Sequence, residues 1–150
     1  ITAGGKNVSP SLVENRLRAS PYISEAAVFG EGRKYLVALL EADGETVGEW
    51  AREHGVVHTG YASLIGRPEV VSLIEAEVRR ANDELTRVEQ VKAFRLLPRE
   101  LDPELEDEPV TPTRKVKHRL MAERYGLLVE SMYAGDEEQR IAAEMDRLER

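Results

Sequence analysis

Two short segments of this 150-residue chain hold residue types whose spacing could serve chemistry. The first is Ile1-Thr2-Ala3-Gly4-Gly5-Lys6-Asn7-Val8-Ser9-Pro10. Its paired glycines permit positive φ and let another body approach the backbone closely. The second is Thr111-Pro112-Thr113-Arg114-Lys115-Val116-Lys117-His118-Arg119, where cations gather at a loop-to-helix junction. Lysine there is a compact charge on a flexible stem, suited to reaching a polyanion. Each segment also has a plainer account. One could be an ordinary turn before a capped helix, the other a solvated basic turn balancing Asp102, Glu104, Glu106, Asp107 and Glu108. Residue types alone favour the plainer account in both cases.

Other constellations fall short of a site. His54 and His58 are four apart, but Gly55 lies between them and no HExxH pattern exists, so they read as structural histidines and no metal site is expected. Gly4-Gly5-Lys6 lacks the spacing of a phosphate loop, and Asn7 stands where that loop needs Ser or Thr. There is no GxSxG. The absence of Cys excludes a disulfide framework, thiolate zinc ligation and thiol catalysis. The acidic run at 102–108 could meet a hard cation, yet a solvated loop is the simpler reading. Whatever chemistry the chain takes part in must be completed by groups outside it.

The elements that would position the two segments follow from pattern. Ser9 can cap a helix whose first turn takes Pro10, with Val13 and Leu17 on one face, ending near Ser20-Pro21. Strands are expected at 23–29 and 35–40, joined through Gly30-Glu31-Gly32-Arg33 as an antiparallel hairpin. The second strand is apolar on both faces, hence central. Asp43 caps a helix carrying Val47, Trp50, Ala51 and His54, and Gly55 stops it. Residues 60–66 read as a loop or single turn. Pro68 opens a longer helix with Val71, Ile74, Val78, Ala81 and Leu85 inward. A third strand is expected at 91–97, then an acidic, proline-containing surface loop at 98–112. Residues 116–133 form an amphipathic helix with Met121, Tyr125, Leu128 and Met132 as its stripe. Gly135 breaks it, and Asp136 caps a thin last helix. The class is α+β: a small, mostly antiparallel sheet of about three strands plus a short hairpin, covered by helices around one contiguous core.

Bulk properties bound the function. With 41% hydrophobic and 33% charged residues, the chain reads as one folded domain. A net charge of −7 argues against a general nucleic-acid binder. No apolar run reaches the roughly 20 residues of a membrane span, and no signal peptide is visible. The opening Ile1-Thr2-Ala3, without Met, reads as a piece of a longer protein.

The two segments and their separation together resemble the C-terminal domain of the adenylate-forming enzymes, the family of acyl-CoA synthetases, luciferases and peptide-synthetase adenylation domains. The glycine turn with Pro10 and Glu14 resembles the stretch just after that family's interdomain hinge. The Thr-Pro-Thr-x-Lys-x-Lys run resembles its last conserved motif. Both wordings are similar to the long-chain branch, although Arg114 stands where other branches usually have Gly. The resemblance covers residues 1 to about 134, leaving 135–150 as a helical tail.

What the resemblance implies is a mobile lid on a larger adenylation domain. The whole protein would be a long-chain fatty acyl-CoA synthetase, using ATP, CoA and Mg2+, with the isolated domain inactive. Lys115 would be the adenylation lysine, with Lys117 the second candidate. Gly4, Gly5, Lys6 and Asn7 would line the pantetheine channel, and Arg33, Lys34 or Lys6 could meet CoA phosphates. The expected setting is cytoplasmic, with the parent peripheral at a membrane at most. The alternatives are the same domain from a medium-chain or carrier-protein-loading ligase, or an RNA- or protein-binding module.

Overall fold

A computed structural model describes residues 7–149, without the side chains of 135–144 and 149. Helix α1 spans Pro10–Arg18, with the Ser9 hydroxyl accepting from the Leu12 N–H and proline in the first turn. Strands β1 (Ile23–Phe29) and β2 (Leu36–Ala42) pair antiparallel, their turn closed by the Arg33 N–H on the Gly30 carbonyl, with Gly32 at φ +71°. Helix α2 (Gly44–Glu53) is capped by the Asp43 carboxylate and stopped by Gly55 at φ +68°. The loop or single turn expected at 60–66 is a short helix, α3 (Tyr61–Ile65), followed by α4 (Pro68–Asp83). A 3-10 turn at Arg87–Glu89 leads into β3 (Val91–Leu96), and α5 covers His118–Glu149.

The sheet runs β1-β2-β3, with β2 central and buried at every position. β1 and β2 pair antiparallel, while β3 lies parallel to β2 because α2, α3 and α4 form the crossover between them. Outside the sheet, an isolated antiparallel bridge joins Val110 and Val116, where the sequence suggests only loop and helix start. Asn82 fixes the start of β3 from α4: its side chain accepts from the Val91 N–H at 2.8 Å and donates to the Val91 carbonyl at 2.9 Å.

Side-chain alternation along the strands splits the interior in two rather than making one core. Val28, Ala38 and Leu40 face α1, α2, α3 and α4. Ala27, Val37 and Leu39 face Leu97, Leu101, Val110 and the first half of α5. In the first turn of α4 Val70 is fully buried while Val71 is exposed, so the inward stripe starts one position earlier than expected. On α5, Val129 and Tyr133 join Met121, Tyr125 and Met132 in the core, and Leu128 only borders it. The helical backbone continues through Gly135, where a break was expected, and its departure from helical geometry is instead at Tyr125 (φ −116°, ψ 25°).

Candidate functional site

Lys115 lies at the close of a tight hairpin. The Thr111 N–H donates to the Lys115 carbonyl at 2.9 Å, and the Lys115 N–H donates back to the Thr111 hydroxyl at 2.9 Å. The Arg114 N–H donates to the Thr111 carbonyl at 2.8 Å, which holds Arg114 at φ +61°. It is the one non-glycine residue with positive φ among the described residues. Beyond the turn, the Lys117 N–H reaches the Pro109 carbonyl at 2.8 Å, and the Lys117 carbonyl accepts from the Met121 N–H at 2.9 Å. The lysine turn therefore feeds directly into α5.

The two candidate lysines differ in freedom. Lys115 is exposed, and its ammonium makes no hydrogen bond or ion pair among the described residues. Lys117 is half-buried, and its ammonium donates to the Glu106 carbonyl at 3.3 Å. An incoming anion would find the first available and the second engaged.

Buried carboxylates hold this hairpin to the sheet. Glu25 on β1 and Glu41 on β2 are cross-strand partners, 1% and 3% exposed. Arg114 spans them, with Nη2 2.8 Å from Glu41 and Nε 3.6 Å from Glu25. Glu41 also accepts from the Ser24 hydroxyl at 2.6 Å and from the Leu101 N–H. Glu25 is held further by Arg18 at 3.0 Å and by the Ala26 N–H at 3.3 Å. Burial keeps the Glu25 carboxyl above its ordinary pKa, against the pull of the Ala26 N–H, Arg18 and Arg114.

The acidic loop is organised rather than merely solvated. Asp102, Glu104, Glu106 and Asp107 are exposed, but Glu108 is 2% exposed. It takes a bidentate pair from Arg99 at 2.6 and 2.8 Å, a contact from Arg124 at 2.6 Å, and the Asp102 N–H at 3.0 Å. The Arg99 hydrogen bonds lead the effects that hold its carboxyl at about 2, with the Asp102 N–H and Arg124 also lowering it, against burial.

Gly4, Gly5 and Lys6 lie outside the described residues, and Asn7 is exposed without regular structure. Where the chain enters, Val8 and Pro10 line a hollow of about 420 Å³ together with Phe29, Arg33, His118 and Tyr133. Arg33 pairs with Glu130 and sits 4.4 Å over the Tyr133 ring. His118 Nε2 donates to Glu14 at 2.5 Å, and Glu14 also accepts the Val28 N–H at 2.8 Å. Val8 and Pro10 thus meet the Phe29 end of β1, while Arg114 is clamped near the other end.

The remaining histidines serve local structure: His54 stacks on Trp50 and bonds its carbonyl at 2.8 Å, and His58 bonds the Val56 carbonyl at 3.3 Å. Among the described residues no group of three or more His, Asp or Glu is placed to hold a metal ion. No described helix is long and apolar enough to cross a membrane. Glu25 and Glu41 were not foreseen as parts of the site; Glu14 entered only with the glycine turn, and Glu108 only as one of the acidic run. Within the sequence, the only signal was Glu41 closing an apolar strand and a large side chain preceding Lys115.

Residues 1–137 match the family model of the AMP-binding enzyme C-terminal domain. The Mycobacterium tuberculosis protein named fatty-acid–CoA ligase fadD11 is 39% identical over 137 residues, 91% of this chain but 24% of that protein. The long-chain-fatty-acid–CoA ligase FadD15 of the same organism is 34% identical over 134 residues, 89% of this chain and 22% of its own. The chain therefore spans about a quarter of these relatives' length. Among solved structures, the adenylation domain of a Mycobacterium chelonae carboxylate reductase superposes with a TM-score of 0.67 at 22% identity, over 89% of this chain and 19% of that one. A Segniliparus rugosus carboxylic acid reductase domain, solved with AMP and a carboxylic acid, gives 0.66 at 20% identity, with the same two coverages. With the fold shared and the family model spanning nearly all of its length, the chain belongs to the AMP-binding enzyme C-terminal domain family.

Proposed function

We propose that this chain is the mobile C-terminal domain of a long-chain fatty-acid–CoA ligase, which joins a fatty acid to CoA at the expense of ATP, releasing AMP and pyrophosphate. Residues 1–134 form the working domain and 135–150 a helical tail. Lys115 serves the first half-reaction, in which carboxylate attack on the α-phosphate gathers negative charge. A positioned ammonium stabilises that charge directly. In the second half-reaction the domain turns, and Gly4, Gly5, Lys6 and Asn7 line the passage for the pantetheine arm of CoA. Fatty acid, ATP and magnesium are held mainly by the large N-terminal domain, so the isolated chain has no ligase activity. Turning one domain to complete a site and exclude water is a common use of hinged closure.

The observation that carries this reading is the Lys115 hairpin, whose exposed ammonium, without a hydrogen bond or ion pair among the described residues, contrasts with the tethered Lys117. The tip of this hairpin, held by Arg114 at Glu25, lies toward the opposite end of β1 from Val8, which supports the use of two faces in turn. The names of the relatives support the fatty-acid substrate class.

The test is Lys115→Ala in the full-length enzyme, with the half-reactions assayed separately on palmitate. Adenylate formation should fall roughly 10²- to 10³-fold, the scale for losing one such group, while conversion of supplied acyl-adenylate persists. Normal rates in both steps would remove Lys115 from the chemistry. A loss seen only with Lys117→Ala would move the role two residues on.

A further inference from the structure

We propose that Arg114 is a positioning residue for Lys115, fixing the lysine hairpin by clamping its guanidinium across the buried Glu25–Glu41 pair. The inference deepens the adenylation reading and rests on it.

Three observations meet at this side chain. The first is backbone: Arg114 holds φ +61°, a conformation that glycine adopts without strain and that a side chain opposes. A large residue kept there must be held by its contacts. The second is what those contacts are. Glu25 and Glu41 face each other across β1 and β2, nearly without solvent, where like charges repel unless a cation intervenes. Arg114 reaches both, with Nη2 at 2.8 Å from Glu41 and Nε at 3.6 Å from Glu25, whose Oε2 has no hydrogen-bond partner among the described residues. Lysine could not span two carboxylates this way, because it lacks the guanidinium's planar fork.

The third is leverage. Lys115 follows Arg114 directly, and the turn is closed on Thr111 from both directions. Glu41 also receives the Leu101 N–H, so one carboxylate ties down the chain on both sides of the acidic loop. The exposed lysine is thereby attached to the most buried strand of the sheet. Without the clamp, the hairpin keeps its local hydrogen bonds and the packing of Val110 and Val116 at its base, but its tip at Arg114 and Lys115 loses its tie to the sheet. Arg114 itself needs no contact with substrate, since its guanidinium is committed to the two carboxylates.

The experiment is a double-mutant cycle in the full-length enzyme, using Arg114→Gln, Lys115→Ala and their combination. Each half-reaction is measured separately. Arg114→Gln should lower the adenylation kcat roughly 10- to 100-fold, the cost of about an ångström of misplacement, with conversion of supplied acyl-adenylate retained. In the Lys115→Ala background the same change should have little further effect, because it acts through a group already removed. Arg114→Gly keeps the positive φ without strain, so it checks folding and should repeat the loss. Glu41→Gln, from the other end of the clamp, should move the adenylation rate in the same direction. Equal losses from Arg114→Gln with and without Lys115 would show an independent role and overturn the inference, as would normal adenylation in Arg114→Gly. A harmless Lys115→Ala would instead overturn the adenylation reading itself.

Discussion

His118 shares the Glu14 carboxylate with the backbone of an edge strand, since Glu14 accepts both the imidazole and the Val28 N–H. The carboxylate blunts an unpaired edge of β1, and the histidine brings the start of α5 to it. The hydrogen bond to Glu14 raises the His118 pKa above its ordinary value near 6.5, outweighing the opposing effect of burial. For a raised pKa, the stabilisation is complete below the unfolded value and lost as pH rises through the folded one. His118→Gln should therefore lower stability at pH 5–6, by about 0.5–1 kcal/mol given the partial exposure of the ring. It should be nearly silent at pH 9. Thermal melts of both proteins across that range check this; a deficit that grows with pH would have the wrong sign.

Between β3 and α5 the chain has little regular structure, yet Glu108 gives it a fixed centre by gathering Arg99, Arg124 and the Asp102 N–H. With its carboxyl held at about 2, the contribution is present above the ordinary 4.5 and is lost as pH falls toward 2. Glu108→Gln should cost about 1–3 kcal/mol at neutral pH, as a charge-assisted network loses its acceptor. The variant and parent should converge near pH 2 in acid titrations followed by circular dichroism. A gap that persists at that pH would mean the loss is one of packing. The sequence showed this loop only as a run of acids, because nothing local separates the inward Glu108 from its four solvated neighbours. Elements with local signals were legible: the Ser9 and Asp43 caps, the Gly32 turn and the all-apolar stretch of β2. Relations between distant residues were not. The parallel placing of β3, the Glu25–Glu41 pair beneath Arg114 and the one-position shift from Val71 to Val70 all depend on how far elements rotate when they pack. For the candidate site, Lys115 could be named from its motif, but the carboxylates that hold its hairpin could not.

At the scale of the whole molecule, a single three-stranded sheet separates two cores, and β2 supplies both. Leu39 and Leu40 are adjacent in sequence, 1% and 0% exposed, and point into opposite cores. Neither layer of helices covers itself, and a three-stranded sheet needs apolar packing to persist. The two faces should therefore unfold together. Leu39→Ala and Leu40→Ala should each cost about 2–5 kcal/mol. Trp50, the only tryptophan, packs on the Leu40 side and reports that face by fluorescence. In Leu39→Ala the altered core is the other one, so a cooperative domain predicts that the Trp50 midpoint in urea falls as far as the midpoint seen by circular dichroism. If α5 and its loop came away first, circular dichroism would lose signal while Trp50 stayed in its native environment. The Lys115 hairpin would then be able to detach from a sheet still folded on its other face, and its rigidity would depend on the Arg114 clamp alone.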